Sequence, residues 1–146
     1  MGLGVFFLVP VNYLAVLLCA ISSMIIGFLW YGPLFGKEWM RLVGLTEEKQ
    51  AAAKKGMMSA YLVMFVSSLV MAYVLFHLIW YAAPGSYTLF IAIKTAIWAW
   101  VGFVITVSLS KFIFSPQSKS VKLLVIETGY YLVTLIIMGV IFYLLK

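Results

Sequence analysis

The sequence has one cysteine and one histidine among its 146 residues, and this scarcity excludes several kinds of site. A single cysteine, Cys19, cannot form a disulfide within the chain. Cys19 and His77 lie on different apolar segments, so they cannot supply the ligand set of a zinc or haem site. We therefore predict no metal and no cofactor, and no pattern in the chain marks a catalytic residue.

Charged residues are also scarce: they make up 10% of the chain, while 66% of it is hydrophobic. A soluble domain carries roughly 25% charged residues, and a domain of this size has too little interior to hide so much apolar surface. The basic residues give a net charge of +6, but they gather in short segments between apolar runs. This pattern excludes a nucleic-acid surface and indicates a protein whose partner is the lipid bilayer.

Four apolar runs reach the length of about 20 residues that a helix needs to cross the hydrocarbon of a membrane. We predict an all-α fold, in which residues 1–146 form a single domain with a bundle of four transmembrane helices. The predicted spans are residues 10–31, 57–81, 87–111 and 121–145. The first run lacks a preceding positive stretch and a small-residue cleavage site, so we expect a retained span and not a signal peptide.

The segment of residues 32–56, between the first two runs, differs from them in composition. Phe35 and Trp39 recur at helical spacing with charged residues between them, which predicts a short amphipathic helix in the plane of the lipid headgroups. Gly44 is typical of the end of a helix. Thr46 is typical of the N-cap of the next helix, which we expect to continue toward the second span.

The basic residues are divided unequally between the two sides of the predicted membrane domain. The loop of residues 32–56 carries five, and the loop of residues 112–120 with its edges carries three. The other side has only Lys94 and Lys146. Because cytoplasmic loops are rich in Lys and Arg, we expect both loops in the cytoplasm and both termini outside. The expected location is a bacterial inner membrane.

Glu127 is an acidic residue inside the fourth predicted span. An acidic residue at a helix centre costs on the order of 3 kcal/mol on insertion scales, so we expect Glu127 to face the bundle interior. Tyr131 and Thr134 share its helical face and Tyr130 lies beside it, which makes these four residues a candidate intramembrane polar site. The carboxyl group either binds a proton or a cation, or is a structural group satisfied by nearby hydroxyl groups or lysines.

A second group of polar side chains is expected at the opposite end of the bundle. Tyr73 and His77 are one helical turn apart in the second span, Asn12 begins the first, and Lys94 lies near the start of the third. These residues form a candidate outer polar cluster. The alternative is that His77 is an ordinary interface residue and that Lys94 extends its ammonium group to the headgroups.

Small residues recur every three or four positions along two of the predicted spans. Such stripes allow membrane helices to pack closely, so we expect them to face other helices, in this chain or in another copy of it. The residues are Ala15, Cys19, Ser23 and Gly27 in the first span, and Ala99, Gly102 and Thr106 in the third.

Three segments of the sequence carry a resemblance to a known family. They are WYGPLFGKEWM at residues 30–40, GLTEE at residues 44–48 and GYYLV at residues 129–133. The chain resembles a family of small bacterial four-helix integral membrane proteins that is classed as a domain of unknown function. The resemblance implies four spans and a prokaryotic source. It implies no activity, substrate or catalytic residue.

Three hypotheses of function follow, and the first is preferred. It is a structural or accessory subunit of a homo-oligomeric or larger membrane assembly, without catalytic machinery. The second is a small transporter or proton-coupled carrier that uses Glu127. The third is a membrane enzyme acting on a lipid or a quinone. Small membrane enzymes of this kind usually hold an anionic cofactor with intramembrane arginine, and the predicted spans contain no arginine.

Overall fold

The computed structural model of the protein describes residues 8–116 and 120–146. These residues form helices and no strand, and four helical stretches are long and apolar enough to cross a membrane. The stretches are span 1, Tyr13–Leu34; span 2, Glu47–Ala82; span 3, Leu89–Phe114; and span 4, Val121–Leu144. The predicted all-α fold with four candidate transmembrane helices is confirmed.

The first helix, α1, covers Tyr13–Leu29 and begins later than the predicted Pro10. Its N-cap is Asn12, whose side-chain oxygen accepts a hydrogen bond from the backbone N–H of Ala15 at 3.1 Å. An asparagine cap satisfies one of the free N–H groups of the first turn, and Pro10 has no comparable group to offer. The cap therefore sets the start of the helix.

Span 1 does not end at residue 31 as predicted, because α1 continues into a π-helical turn, Trp30–Leu34, that contains Pro33. Pro33 has no N–H group and cannot make the usual helical hydrogen bond. In the π-helical turn, the N–H of Phe35 bonds instead to the carbonyl of Trp30, five residues earlier, at 2.8 Å. This register carries the chain past the proline for one more turn.

Two short helices connect span 1 to the apolar part of span 2. Helix α2, Gly36–Val43, ends at Gly44, which has the left-handed φ of 68°. Helix α3, Glu47–Ala53, begins at Thr46, whose hydroxyl oxygen accepts a backbone N–H at 3.4 Å. A 3-10 turn then joins α3 to α4, Met57–Ala82. The predicted amphipathic helix and both predicted caps are confirmed.

Span 3 consists of α5, Leu89–Ala99, a π-helical segment, Trp100–Ile105, and α6, Thr106–Phe114. Span 4 is the single helix α7, Val121–Leu144. Each span packs beside the one before it, and α7 returns to pack against α1. The four spans therefore close into a bundle in chain order.

The two ends of the bundle differ. We name the end that holds α2 and α3 the basic end, and the end that holds the turn at residues 83–88 the turn end. Among the described residues, α4 has no buried residue before Ser68, and α6 has none. We call the half toward the turn end the closed half and the half toward the basic end the open half, because the start of α4 and the whole of α6 are uncovered there. The largest fully buried side chains are Phe142, Leu75, Ile79, Met138, Thr134, Cys19 and Ser23.

An ion pair fastens α2 to the start of α7. The carboxylate of Glu38 pairs with Arg41 on its own helix and with the ammonium group of Lys122 at 2.8 Å. The hydrogen bonds from Arg41 and then from Lys122 lower the pKa of Glu38 to about 2, because they favour its charged form. The same contact raises the pKa of Arg41.

Candidate functional site

One face of α7 runs through both halves of the bundle. Glu127, Tyr131, Thr134 and Met138 follow one another at spacings of four, three and four residues, which places them on one side of the helix. Thr134 and Met138 have no exposed surface, whereas Tyr131 is 40% exposed and Glu127 is also exposed. The same face of α7 is therefore covered in the closed half and uncovered in the open half.

The cost of inserting an acidic residue predicts that Glu127 faces the bundle interior. Glu127 does lie on the side of α7 that carries the buried residues Thr134 and Met138. The carboxyl group is nevertheless exposed, because the helices that cover this face near the turn end have separated at this level. Helical periodicity gives the direction of a side chain, but it does not show whether a neighbouring helix reaches it.

Several aromatic rings gather toward the basic end of the bundle, at the level of Glu127. Tyr131 lies one helical turn after Glu127 on the same side of α7. The ring of Tyr130 lies 5.5 Å from that of Tyr31 and 5.0 Å from that of Tyr131. The ring of Trp39, from α2, lies 5.5 Å from that of Tyr31. We call Glu127 and these four aromatic residues the Glu127 cluster. Sequence reasoning missed Tyr31, which comes from the end of span 1, and Trp39, which comes from α2.

Two tryptophans hold α7 on either side of Glu127. The indole N–H of Trp30 donates to the carbonyl of Ile126 at 2.9 Å, and that of Trp100 donates to the carbonyl of Thr128 at 2.7 Å. Trp30 belongs to span 1 and Trp100 to span 3. Spans 1 and 3 therefore stay attached to α7 in the open half, and span 2 is the one that stands apart.

Three buried hydroxyl groups meet where the open half gives way to the closed half. The Oγ of Ser23 lies 3.0 Å from the Oγ of Ser68 and 3.0 Å from the hydroxyl of Tyr130. The Tyr130 hydroxyl also donates to the carbonyl of Ser23 at 3.2 Å. This hydroxyl triad joins spans 1, 2 and 4 by polar contacts that membrane helices use in place of water-driven burial. From the sequence, Tyr130 was a candidate polar-site residue and Ser23 was a candidate helix-packing residue. Nothing in the sequence indicated that their hydroxyl groups are in contact.

Three of the four residues of the predicted intramembrane polar site, Glu127, Tyr130 and Tyr131, belong to the Glu127 cluster, and Tyr130 also belongs to the hydroxyl triad. The fourth residue, Thr134, does not join them. Thr134 is fully buried, and its hydroxyl is the one buried side-chain polar atom of the described residues without a hydrogen-bond partner. The predicted face is therefore divided between an exposed part and a packed part.

The predicted outer polar cluster does not form as one site either. Asn12 donates from its amide to the carbonyl of Leu145 at 2.8 Å. His77 and Tyr73 contact each other, with ring centroids 4.3 Å apart and the His77 Nδ1 donating to the Tyr73 carbonyl at 2.8 Å. Lys94 is exposed on α5, with its Nζ 6.0 Å from the centroid of the Phe90 ring. These residues share a depth, but they lie on different sides of the bundle.

The two stripes of small residues have different surroundings. The stripe of α1 lies in the core, where Ala15, Cys19 and Ser23 are fully buried and Gly27 faces the ring of Tyr130. In span 3, Ala99 is half-buried, but Gly102 and Thr106 are exposed. The first stripe therefore packs inside this chain. In the second stripe, Gly102 and Thr106 are left uncovered by the part of the chain that the structure describes.

The residues that the structure describes contain no group of three or more His, Cys, Asp or Glu side chains that could hold a metal ion. The fold is that of a polytopic helical membrane protein with four candidate spans. The chain belongs to a family described as protein of unknown function, DUF1761, which matches residues 14–143. The predicted resemblance to a domain of unknown function is confirmed. No curated protein and no solved structure matches the chain.

Proposed function

We propose that the protein is a subunit of a membrane assembly in which a second copy of the chain packs against the open half. The observation that carries this proposal is the exposure of Glu127, about 9 Å from the start of α7. Ionisable groups at such depths in a membrane face a partner or a water-filled cavity and not lipid. A helix from another copy would cover this uncovered face.

A stripe on span 3 favours a second copy as the partner. Gly102, Thr106 and Ser110 are exposed and spaced four residues apart, and we call them the span-3 stripe. The hydroxyl of Thr106 donates to the carbonyl of Gly102 at 2.6 Å, and that of Ser110 to the carbonyl of Thr106 at 3.1 Å. The stripe therefore consists of small residues, and both of its hydroxyl groups already have hydrogen-bond partners within their own helix. Two identical stripes can pack against each other about a two-fold axis.

The orientation and the membrane are part of the same proposal. The basic end carries Lys37, Arg41, Lys49, Lys54 and Lys55, together with Lys111 and Lys122. Near the turn end the described residues include Lys94 and Lys146. This distribution supports a cytoplasmic basic end in a bacterial inner membrane.

The substitution Gly102→Leu tests the assembly. A Cβ atom added at this exposed position meets no atom of another element within 4 Å, so we expect the fold of one copy to be retained. The leucine side chain would prevent two stripes from approaching closely. We therefore expect the dissociation constant of the dimer to rise about tenfold or more, the equivalent of about 1.4 kcal/mol. Energy transfer between donor- and acceptor-labelled copies in liposomes, measured against the protein-to-lipid ratio, gives this constant.

The matched control is Val101→Leu, which enlarges a neighbouring exposed residue outside the stripe and should leave energy transfer unchanged. Absence of energy transfer in the unsubstituted protein would reject the proposal. Equal transfer in the Gly102→Leu variant would reject the span-3 stripe as the contact.

The tyrosine rings around Glu127 favour a second candidate function, a carrier of organic cations. A carboxylate with aromatic rings beside it attracts a cation by charge and by cation–π contact. We expect the purified protein to bind tetraphenylphosphonium saturably, and the Glu127→Gln variant to lose that binding. Binding that survives this substitution, measured by equilibrium dialysis, would exclude the carrier while leaving the assembly proposal intact.

A further inference from the structure

A cavity of about 370 Å³ opens at the turn end of the bundle, and we call it the turn-end cavity. Four of its lining residues are aromatic: Phe76 and Trp80 from α4, Tyr87 from the turn before α5, and Phe142 from α7. Lys146 also lines it, and so does Asn12, one member of the predicted outer polar cluster. None of the hypotheses of function uses this cavity.

The aromatic walls are held in place by their mutual contacts. The Phe76 ring lies 5.0 Å from that of Phe142, 6.2 Å from that of Tyr87 and 6.4 Å from that of Trp80. The Tyr87 hydroxyl donates to the carbonyl of Phe142 at 3.0 Å. Phe76, Tyr87 and Phe142 are also nearly fully buried. The cavity is therefore formed before any ligand enters it, as in most small-molecule sites.

The ammonium group of Lys146 is positioned at the edge of this cavity. It donates to the carbonyl of Tyr87 at 3.2 Å and lies 4.4 Å from the centroid of the Tyr143 ring. No carboxylate of the described residues forms an ion pair with it. An ammonium group has three N–H donors, so donors remain for an anion.

The cavity also adjoins an apolar groove on the membrane domain. A second groove of about 390 Å³ shares Leu145 with it, and its lining is almost wholly aliphatic. The groove lies between α1 and α7, where Leu18, Ile25 and Ile141 contribute to it. Since all four spans begin or end beside the turn-end cavity, the cavity lies at headgroup level and the groove lies at the level of the acyl chains.

We propose that the turn-end cavity binds a single-chain amphiphile with an anionic head. The carboxylate or phosphate of the head pairs with Lys146, the upper part of the chain lies against the aromatic rings, and the rest passes Leu145 into the groove. A hydrated anion alone would lose water against apolar walls without compensation. A neutral hydrocarbon would leave the ammonium group without a counter-ion. Free fatty acids and monoacyl phospholipids share the required chemistry.

The fluorescence of Trp80 reports on this site. The full chain, purified in a neutral detergent, is titrated with stearate that carries a nitroxide quencher near its carboxyl group. We expect saturable quenching, and we expect the saturable part to disappear in the Trp80→Phe variant. A nitroxide near the methyl end should quench Trp80 less, because that end lies in the groove.

Substitution of the cation completes the experiment. We expect Lys146→Gln to weaken binding roughly tenfold, as loss of a hydrogen bond to a charged group does. Lys94→Gln, which removes another exposed lysine near the turn end, should leave it unchanged. The labelled methyl ester has no anionic head. It should therefore bind the unsubstituted protein and the Lys146→Gln variant with the same affinity. A monoacyl phosphatidic acid with the same label shows whether phosphate or carboxylate binds more tightly.

Three results would overturn the proposal. One is quenching that rises without saturation, which shows simple partitioning into the detergent. Another is an equal affinity for the methyl ester and the acid. The third is an unchanged affinity in the Lys146→Gln variant when circular dichroism shows that this variant is folded. If Lys146→Gln does not fold, Lys146→Arg replaces it. Because Lys146→Arg keeps the positive charge, it should retain binding.

Discussion

The closed half and the open half of the bundle are built from the same four spans and from similarly apolar residues. In the closed half, the helices meet through small residues such as Ala92 and Gly139, and their backbones come close together. In the open half, spans 1 and 3 reach α7 through the indole rings of Trp30 and Trp100. Large side chains such as Phe142 are buried in the closed half as well, so the closed half is distinguished by the close approach of the α5 and α7 backbones at Ala92 and Gly139.

The comparison also explains where the polar groups lie. Rings in the open half keep α7 attached to spans 1 and 3 through single N–H groups, which leaves span 2 apart. Glu127 is then uncovered although its helical face is an inner one. The hydroxyl triad marks the level at which span 2 rejoins the bundle through Ser68.

The largest expected effect comes from placing a side chain in the closest contact of the closed half. A Cβ atom at Gly139 would lie 3.1 Å from the carbonyl oxygen and 3.3 Å from the carbonyl carbon of Ala92, which belong to the backbone of α5. We expect Gly139→Leu to lower the free energy of unfolding by about 2 kcal/mol or more, since overpacking forces the backbones apart. Unfolding in mixed micelles, followed by circular dichroism, measures this loss.

Gly102→Leu is the matched substitution in the open half, where no atom lies within 4 Å. We expect it to change the stability of one copy by less than about 0.5 kcal/mol, as most surface substitutions do. If the two glycines respond equally, the two halves do not differ in packing, and the comparison fails.

A smaller effect is expected at the hydroxyl triad. Tyr130→Phe removes the hydroxyl that contacts the Oγ and the carbonyl of Ser23, and Ser23→Ala removes the Oγ that contacts both Tyr130 and Ser68, while each variant keeps most of the packing. Interhelical hydrogen bonds in membranes average about 0.6 kcal/mol, with a maximum near 1.7 kcal/mol, so we expect about 1 kcal/mol for each variant. A double-mutant cycle should give a coupling of similar size. Additive losses would show that the two hydroxyl groups do not interact.

Thr134→Val is the control for the triad. The Thr134 hydroxyl is as deeply buried as Ser23 but has no hydrogen-bond partner. Removing an unsatisfied buried polar group is neutral or stabilising. We therefore expect no loss of stability, and a loss as large as that of Tyr130→Phe would indicate an unrecognised partner for Thr134.

The sequence predicted the features that depend on near neighbours in the chain. The four apolar runs, the amphipathic helix before Gly44 and the Thr46 cap each follow from residues within one or a few helical turns. The start of span 1 was set by a cap at Asn12 that the apolar pattern alone did not reveal. Its end was moved by a π-helical turn that carries the chain past Pro33.

The sites could not be predicted in the same way, because they join residues far apart in the sequence. Ser23 and Tyr130 meet only when spans 1 and 4 are adjacent. The exposure of Glu127 depends on where span 2 leaves the bundle, and the turn-end cavity depends on three elements that bring Phe76, Tyr87 and Phe142 together. Periodicity shows which way a side chain points, and only the assembled bundle shows what it meets.

The smallest expected effect is at the basic end, where the Glu38 ion pairs hold α2 beside the open half. The pKa of Glu38 is lowered to about 2, so its stabilising contribution is complete above the ordinary pKa of 4.5. It is lost as the pH falls from about 4.5 toward 2. Because these pairs are at the surface, we expect α2 to loosen with little change in the stability of the bundle.

Fluorine NMR of fluorotryptophan-labelled protein, with the Trp39 signal assigned by Trp39→Phe, follows this loosening through the contact of Trp39 with Tyr31. We expect Glu38→Gln to show at neutral pH the Trp39 signal that the unsubstituted protein reaches only in acid. Glu48→Gln, on α3 and without an ion pair in the described part of the chain, should keep the original signal and its acid transition. If neither acid nor the Glu38→Gln substitution changes the Trp39 signal, aromatic contacts alone hold α2 in its position beside the bundle. The open half would then be bordered by a helix whose position does not depend on charge.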